Sequence, residues 1–536
     1  MTARTNDEEP DGSGSSEEDL EFEKTLWEAA DGLRGSVEAA QYKHLVLGLL
    51  FLKYLSDAFE TRRAWLDLQT RTNGSDYFAT DDSVRADILE DRDEYVSENV
   101  FWVPEKARWQ ALVDASSQKD IGSRIDAALE SIEQENPEQL RGALPQIYAA
   151  APIDATSLGQ LVLTLSKLDF ATDPSKNGAG RRDLLGRVYE YFIKMFARSE
   201  GQRGGEFYTP ASVTRLLVEM LEPYKGRVYE PCFGSAGLFV QSASFIEVHG
   251  GRLRDISLYG QENNQATWRI GRMNLVIHGL TGDLKLGNTL LDDQHKSLKA
   301  DFVIANPPFN LDKWGAAQVA EDSRWKFGAP PDRNANYAWI QHIIGKLSPD
   351  GRAGFVLANG SLSAGGAEGK IRQAIIEDDV VDCIVALPGQ LFYTTQIPVC
   401  LWFLDRDKKS ANENDRTGKV LFIDARKLGT KISRTQIELT EDELARITGT
   451  YHAWRSGKEY ADVAGFCHEA TIEEISKHGY ALTPGRFVGA EEIEDDGEPF
   501  EEKLPRLVAL FNEQVAEGQR LDAEIRRNLK ELGFGG

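Results

Sequence analysis

Apolar positions change their period twice along the chain. From about residue 20 to 170 the pattern is helical. The stretch "LVLGLLFLKYLSDAFETRRAWL" (45–66) carries apolar residues on more than one face and gathers charge toward its end, which predicts a buried helix with an exposed last turn. "ENPEQLRGALPQIY" and "SLGQLVLTLSKLDF" keep that texture, and "DPSKNGAGRRD" (173–183) is a loop by its Pro, Gly and Asn content. From about 205 to 425 short, continuous apolar runs alternate with helical stretches. The runs at 226–231, 255–262, 300–308, 351–359, 380–388, 400–407 and 419–426 are candidate strands. Strands of this kind are buried on both faces, so they predict an α/β fold with a mostly parallel sheet between helices. Ligands of such sheets sit at the carboxyl ends of the strands, near the switch point.

From about 430 the pattern is helical again. Positions 504, 508, 511, 515, 518, 522, 525, 529 and 532 step by four and three and are apolar except at Gly518 and Asp522. That seam suits a helix packed on its own domain or one that pairs with another chain. The expected organisation is a disordered acidic tail (1–19), a helical N-terminal domain (20–175), a catalytic α/β domain (180–430) and a C-terminal helical region for partner contacts (431–536).

Charge complicates the choice of ligand. The chain has 536 residues and a net charge of −25, on its face a poor match to nucleic acid, whose phosphates are bound by Lys and Arg. Part of the excess lies in the N-terminal tail and in 491–502, which holds eight acids and no base. Any nucleic-acid contact must therefore rest on local basic faces. One candidate is 181–203, where Arg181, Arg182, Arg187, Lys194, Arg198 and Arg203 stand against three acids. Its plainer reading is a solvated amphipathic helix. The four cysteines lie far apart with no spacing suited to zinc, so no metal is expected and the thiols read as those of a reduced, cytoplasmic protein. No apolar run approaches the roughly 20 residues that span a bilayer.

The candidate chemistry sits at strand ends. In "DFVIANPPFN" (301–310) an apolar strand delivers Asn306 to its tip, and Pro307 and Pro308 stiffen the turn beyond it. The Asn306 amide oxygen and the Pro307 carbonyl can point the same way, and two convergent acceptors suit an exocyclic amine. Phe309 offers a ring for a flat heterocycle. An aromatic amine is a poor nucleophile because its lone pair is conjugated. Accepting both its hydrogens frees that pair by electrostatic positioning, since asparagine cannot take a proton.

The donor site reads from "YEPCFGSAGLF" (229–239), where Gly234 and Gly237 allow close backbone approach and Ser235 can cap the next helix. It is not GxGxxG, and no GxxxxGK[ST] occurs in the chain, so dinucleotide and P-loop readings are disfavoured. Without a phosphate to neutralise, Glu230 is tolerable inside the loop. "LYGQE" ends the second strand with Glu262, placed to bind two ribose hydroxyls of a nucleoside whose other end is a sulfonium. Asn288 of "GNTLL" could read the cofactor's adenine, with Asp283 as its competitor. "GGEFYTP" (204–210) forms a lid or wall, or a helix N-cap with a Pro.

Taken together, GGEFYTP, EPCFGSAG, GQE, GNTL and NPPF resemble, in order and spacing, the amino-group DNA methyltransferases, and most closely the modification (M) subunit of type I restriction-modification systems. The resemblance covers nearly the whole chain. NPPF is shared with protein glutamine and RNA methyltransferases, so it gives the chemistry rather than the substrate; the long helical N-terminus with EFYTP is more specific. The resemblance implies a Rossmann-like S-adenosylmethionine-dependent methyltransferase sheet with a helical N-terminal domain and a helical C-terminal tail. It implies that Glu206, Phe207, Tyr208, Thr209, Pro210 and Ala211, together with Glu230, Gly234, Ser235, Ala236, Gly237, Glu262 and Asn288, hold S-adenosylmethionine. Glu230 stands where many relatives have Asp. Asn306, Pro307, Pro308 and Phe309 would hold an adenine flipped out of double-stranded DNA for methylation at N6. The implied partners are a specificity (S) subunit clamped by two modification subunits, and a restriction (R) subunit. Alternatives are a self-sufficient DNA methyltransferase and an enzyme acting on protein or RNA amides.

Overall fold

A computed structural model describes residues 17–35, 37–98, 100–167, 179–199, 208–392, 397–411, 413–433, 436–490 and 500–531. The chain divides into two units, Met1–Val488 and Gly489–Gly536.

The first unit is built on one sheet. In chain order its strands are β1 (Gly226–Glu230), β2 (Ile256–Glu262), β3 (Gly282–Leu286), β4 (Ala300–Ala305), β5 (Leu347–Ala358), β6 (Val381–Ala386), β7 (Val399–Asp405) and β8 (Lys419–Asp424). A small ribbon of β9 (Thr430–Lys431) and β10 (Ile437–Glu438) stands apart, and β11 (Cys467–Thr471) returns to the sheet. The spatial order is β11-β8-β6-β7-β5-β4-β1-β2-β3. The chain runs outward from β1 through β2 to β3, then crosses to β4 on the other side of β1. That reversal is a switch point, and it places the ends of β1 and β4, Glu230 and Asn306, beside one crevice.

The sheet is mostly parallel as expected, with one reversal at β7, and two expectations change. The sheet is parallel through β3, β2, β1, β4 and β5, but β7 runs antiparallel between β5 and β6. No helix separates β6 from β7 among the described residues, so the chain doubles back, because a parallel return needs a crossover of a dozen or more residues. The sheet also continues past 430, since β11 pairs antiparallel with β8. Its sequence, CHEAT, is polar because it covers an edge, and so it carries no apolar signal. Residues 17–19, read as the end of the acidic tail, begin the helix Glu17–Asp31, where the macrodipole favours acids.

The N-terminal helices share a core with the catalytic sheet's outer helices. Leu45, Leu49, Phe51 and Leu52 of the helix Ala39–Arg71 pack with Phe192 and Phe196 of Ala179–Ser199, and with Ile270, Met273 and Ile277 of Gln265–Ile277. The last helix is also pinned by Arg272, which donates to the carbonyls of Gln139 (2.6 Å) and Arg141 (2.9 Å). No helix among the described residues is long and apolar enough to cross a membrane.

Two histidines lie in this shared core. Burial, with Lys43 and Arg269 nearby, lowers His44 to about 3, and burial lowers His278 to about 4. The folded chain refuses protons that the unfolded chain accepts near 6.5, so this stability is complete above that pH and is lost as pH falls toward 4. At pH 5.5 the expected cost is about 1 kcal/mol per histidine. Thermal melts of the chain and of His278→Gln check this: the variant should lose part of the drop between pH 7.5 and 5.5, and equal drops would contradict it.

In the second unit the helix Phe500–Glu531 exposes the apolar seam: Leu504, Val508, Phe511, Val515 and Ile525 are between 41% and 64% exposed. Leu507, Leu510 and Leu521 broaden the stripe. Leu532 lies outside the described residues.

Candidate functional site

β1 ends in Glu230, and the turn 231–236 leads into the helix Gly237–Val248. Phe233 is what makes this turn compact. Its ring fills the space over β2 and the next helix, so that a Cβ at Gly260 or Gly271 would come within 2.8 or 2.6 Å of it. The turn is fastened from three sides. Asn274 donates to the Ser235 carbonyl (2.9 Å), the Thr289 hydroxyl to the Pro231 carbonyl (2.6 Å), and the Phe233 N–H to the Gln261 carbonyl (3.3 Å). Asn274 sits on the helix that the N-terminal domain packs against, so that domain positions the loop. Ser235 does not cap the following helix. Ala236 occupies the cap with φ of 65° and no side-chain bond, which leaves the first amides of the helix without a side-chain acceptor.

Tyr208, Thr209, Glu230, Cys232, Phe233, Gly234, Ser235, Gly237, Leu238 and Asn306 line one cleft, enclosing about 30 Å³ and continuing into solvent. Glu262 borders it, accepting from the N–H of Gly234 (3.2 Å) and of Asn264 (2.8 Å). A larger cleft of about 620 Å³, between residues 92–139 and the helix Gln265–Ile277, holds none of the motif residues.

The electrostatics of the small cleft are one-sided. Glu230 is 2% exposed, and its Oε2 has no partner. Burial, and then the charge of Glu262, push its carboxyl well above the usual range. Burial also raises Glu262, against the backbone donors Asn264, Gly234 and Asn263. No Lys, Arg or His is among the described lining residues.

The Asn306 carboxamide is held by one end only. Its Nδ2 donates to the Thr209 hydroxyl (3.0 Å), while its Oδ1 is buried without a partner. Its backbone N–H donates to the sulfur of the half-buried Cys232, whose thiol pKa is raised strongly by desolvation. Pro307 is buried, and Phe309 meets Phe392 edge-on at 5.8 Å. Beyond it, Asn310 at φ 52° is locked by Asn336: its N–H donates to Asn336 Oδ1 (3.0 Å), and Asn336 Nδ2 donates to Asn310 Oδ1 (2.9 Å). Arg324 donates to the carbonyls of Thr289 (3.0 Å) and Leu290 (2.6 Å), joining the segment after NPPF to the turn after β3.

The structure thus brings Tyr208, Thr209, Glu230, Gly234, Ser235, Gly237 and Asn306 around one cleft, with Glu262 at its border. Pro210 caps the helix Ala211–Leu221, which Ala211 opens. Asn288 is placed differently: its Oδ1 accepts from the N–H of Leu290 (3.0 Å) and Leu291 (3.2 Å), shaping the turn. Its competitor Asp283 pairs with Lys285 (2.7 Å). Glu206, Phe207 and Arg203 lie outside the described residues, as do the side chains of Arg181 and Arg182. Cys232, Asn274, Thr289 and Asn336 were not legible as contributors. Cys232 stood inside a motif without a role, and the others act through bonds to residues far away in sequence. Among the described residues no cluster of His, Cys, Asp and Glu is placed to hold a metal.

Comparison with known proteins shows the family. The model of the N-6 DNA Methylase family matches residues 180–496, and that of the HsdM N-terminal domain matches residues 22–165. The type I restriction enzyme MjaIX methylase subunit of Methanocaldococcus jannaschii is 40% identical over 522 residues, 96% of this chain and 92% of that protein. The HindI methylase subunit of Haemophilus influenzae is 46% identical over 451 residues, 81% of this chain and 100% of that protein. The crystal structure of a type I restriction-modification system methyltransferase subunit from Streptococcus thermophilus superposes with a TM-score of 0.71 at 26% identity. It covers 88% of this chain and 99% of that one.

Proposed function

The chain belongs to the N-6 DNA methylase family, among the type I restriction enzyme methylase subunits, and from that premise we propose which of its residues carry the adenine-N6 methylation of DNA. S-adenosylmethionine is held by the turn 234–237, Glu230 and Glu262, with Tyr208 to Ala211 as the adjoining wall. The target adenine, extruded from double-stranded DNA, is held by Asn306, Pro307, Pro308 and Phe309.

The charge of the cleft carries this reading. Carboxyl oxygens without a cation among the described lining residues offer a phosphate no counter-charge and suit a ligand that brings its own hydrogen-bond donors and positive charge, toward which Glu230 can give up its proton. The unpartnered Glu230 Oε2 is an acceptor in need of a donor. When bound, S-adenosylmethionine supplies an electrophilic methyl group on a sulfonium.

The chain's own residues then do three things. Glu262, oriented by two backbone N–H groups, accepts the ribose hydroxyls. Thr209 fixes the Asn306 amide so that its free oxygen faces the cleft and accepts a hydrogen of the adenine N6 amine. That bond turns the nitrogen lone pair toward the methyl carbon; the N–C bond would form as the S–C bond breaks, its electron pair staying on sulfur as a neutral thioether, and the surplus proton on nitrogen passes to solvent. Phe309 and Phe392 wall the ring of the extruded base, whose unstacking costs a few kcal/mol.

Glu262→Gln should weaken S-adenosylmethionine binding about 10- to 100-fold, the loss of hydrogen bonds to a charged group. Because Glu262 is raised, wild-type affinity should also fall as pH is lowered through its carboxyl titration, a trend the Gln variant lacks. Calorimetric titration at two pH values reads both. An unchanged affinity in the variant removes Glu262 from the site.

The specificity subunit engages the exposed stripe on Phe500–Glu531 and the helical N-terminal domain, two copies of this chain clamping one specificity subunit; a restriction subunit joins for cleavage. The experiment for the function as a whole is to read N6-methyladenine across the genome with and without this gene. Loss of one motif on deletion, requiring the specificity subunit, is the expected result; an unchanged adenine methylome contradicts it.

A further inference from the structure

We propose that the ribbon between Leu428 and Ile437 enters the DNA duplex beside the target adenine, with Ile432 as an apolar wedge and Lys431 on a flanking phosphate. The inference rests on the reading that the NPPF turn receives an extruded base.

The ribbon is small and well fastened. β9 and β10 pair antiparallel, Lys431 opposite Ile437 and Thr430 opposite Glu438, and the turn is closed by the N–H groups of Ile432 (3.1 Å) and Ser433 (3.3 Å) donating to the Gln436 carbonyl. Gly429 enters it at φ 101°, where a Cβ would collide with Ile437, and its N–H donates to Glu443 (2.6 Å).

Its base is continuous with the target-base wall. The Ile437 N–H donates to the Gln390 carbonyl (3.0 Å), two residues before Phe392, whose ring meets Phe309. Phe309, Leu428 and Ile437 all pack on the same core as Leu391 and Phe392. The base of the ribbon is therefore fastened to the segment that carries Phe392.

The tip presents the wrong surface for water and the wrong sign for this chain. Ile432 is 48% exposed, and Thr430, Lys431 and Ser433 beside it are exposed as well. In a chain of net charge −25, residues 425–433 hold Arg426, Lys427 and Lys431 and no acid; Arg426 is paired with Asp424 (2.6 Å), which leaves Lys431 as the cation at the tip. Arg198, on the helix Ala179–Ser199, reaches the same ribbon and donates to Gln436 (3.0 Å). An exposed aliphatic side chain beside an exposed lysine, on a ribbon joined to the wall of a pocket for an extruded base, matches a duplex: the lysine meets a phosphate, and the aliphatic group fills a gap in the stack.

The test uses the full chain assembled with its specificity subunit and a duplex of the sequence it methylates, with 2-aminopurine at the target position. Ile432→Ala should lower the fluorescence rise on binding, and kcat/KM on the adenine duplex, by about tenfold, with Ile432→Met close to wild type. The loss should vanish when the target lies opposite an abasic site, where extrusion costs little. S-adenosylmethionine affinity should stay unchanged. Lys431→Ala should weaken duplex binding and reduce the slope of log affinity against log salt by about 0.9. Wild-type behaviour of both variants would overturn the proposal, as would a loss of co-elution with the specificity subunit in place of a DNA effect. A wild-type assembly that methylates no duplex would instead overturn the functional reading beneath it.

Discussion

Replacing Asn306 by alanine should lower kcat for methyl transfer by about 10²- to 10³-fold or more while the Kd for S-adenosylmethionine moves less than a few fold. The separation comes from where the carboxamide is held. Its nitrogen is committed to Thr209 at 3.0 Å, and its oxygen is buried with nothing to accept from. A buried acceptor left empty costs free energy unless a ligand satisfies it, so the oxygen is a site prepared for a donor. The contacts proposed for the cofactor, by contrast, lie on the turn 234–237 and Glu262. Thr209→Val should show a milder version of the same defect, because the amide is then free to rotate rather than absent. Single-turnover methylation and equilibrium cofactor binding on the same preparations measure both quantities. A variant with full turnover would show that the base is activated elsewhere.

The second large effect concerns stability. Arg416 is fully buried between β6, β7 and the helix Glu441–Ser456. It pairs with Asp382, with Asp405 (3.0 Å) and with Glu413 (2.6 Å), while Arg352 and Arg455 complete the cluster and Tyr451 donates to Asp382 (2.9 Å). The cluster ties that helix to the two central strands where β7 reverses direction. Such pairs are a weak source of net stability, but removing one partner leaves uncompensated charge inside the protein. Arg416→Ala should therefore cost about 3–5 kcal/mol, seen as a lower melting temperature and more insoluble protein. The defect has a pH signature. Burial, and then Asp382, already raise Asp405 against the arginines around it. Without Arg416 the native acids hold protons more tightly still, so the destabilisation should shrink as pH is lowered from 7.5 to 5.5. A gap in melting temperature that stays constant with pH would contradict the charge argument.

How much of this was legible in sequence depended on which physical signal each residue carries. β4, β6 and β7 are buried on both faces and read as strands from their apolar runs alone. β3 (GDLKL) and β11 (CHEAT) lie at the edges, where charge protects against unwanted pairing and erases that signal. The reversal of β7 was invisible because direction is set by how the chain connects and not by composition. The placement of Asn306 at the tip of β4 was legible because an apolar run stops at two prolines. The Thr209–Asn306 bond was not, since it joins residues 97 apart in sequence, and Thr209 read only as part of a wall. Ser235 looked like a helix cap, but the turn is tightened by Phe233 and Asn274, so the cap position falls on Ala236. The seam in 504–525 was readable from period alone.

All of the chemistry assigned to the cleft depends on the Asn306 oxygen positioning an adenine amine for methyl transfer. The decisive experiment incubates the chain and its specificity subunit with methyl-labelled S-adenosylmethionine and duplex DNA, then digests the product to nucleosides. Label should appear in N6-methyldeoxyadenosine alone and be absent with Asn306→Ala. Label in cytosine or protein, or label in adenine that survives that substitution, would refute the assignment.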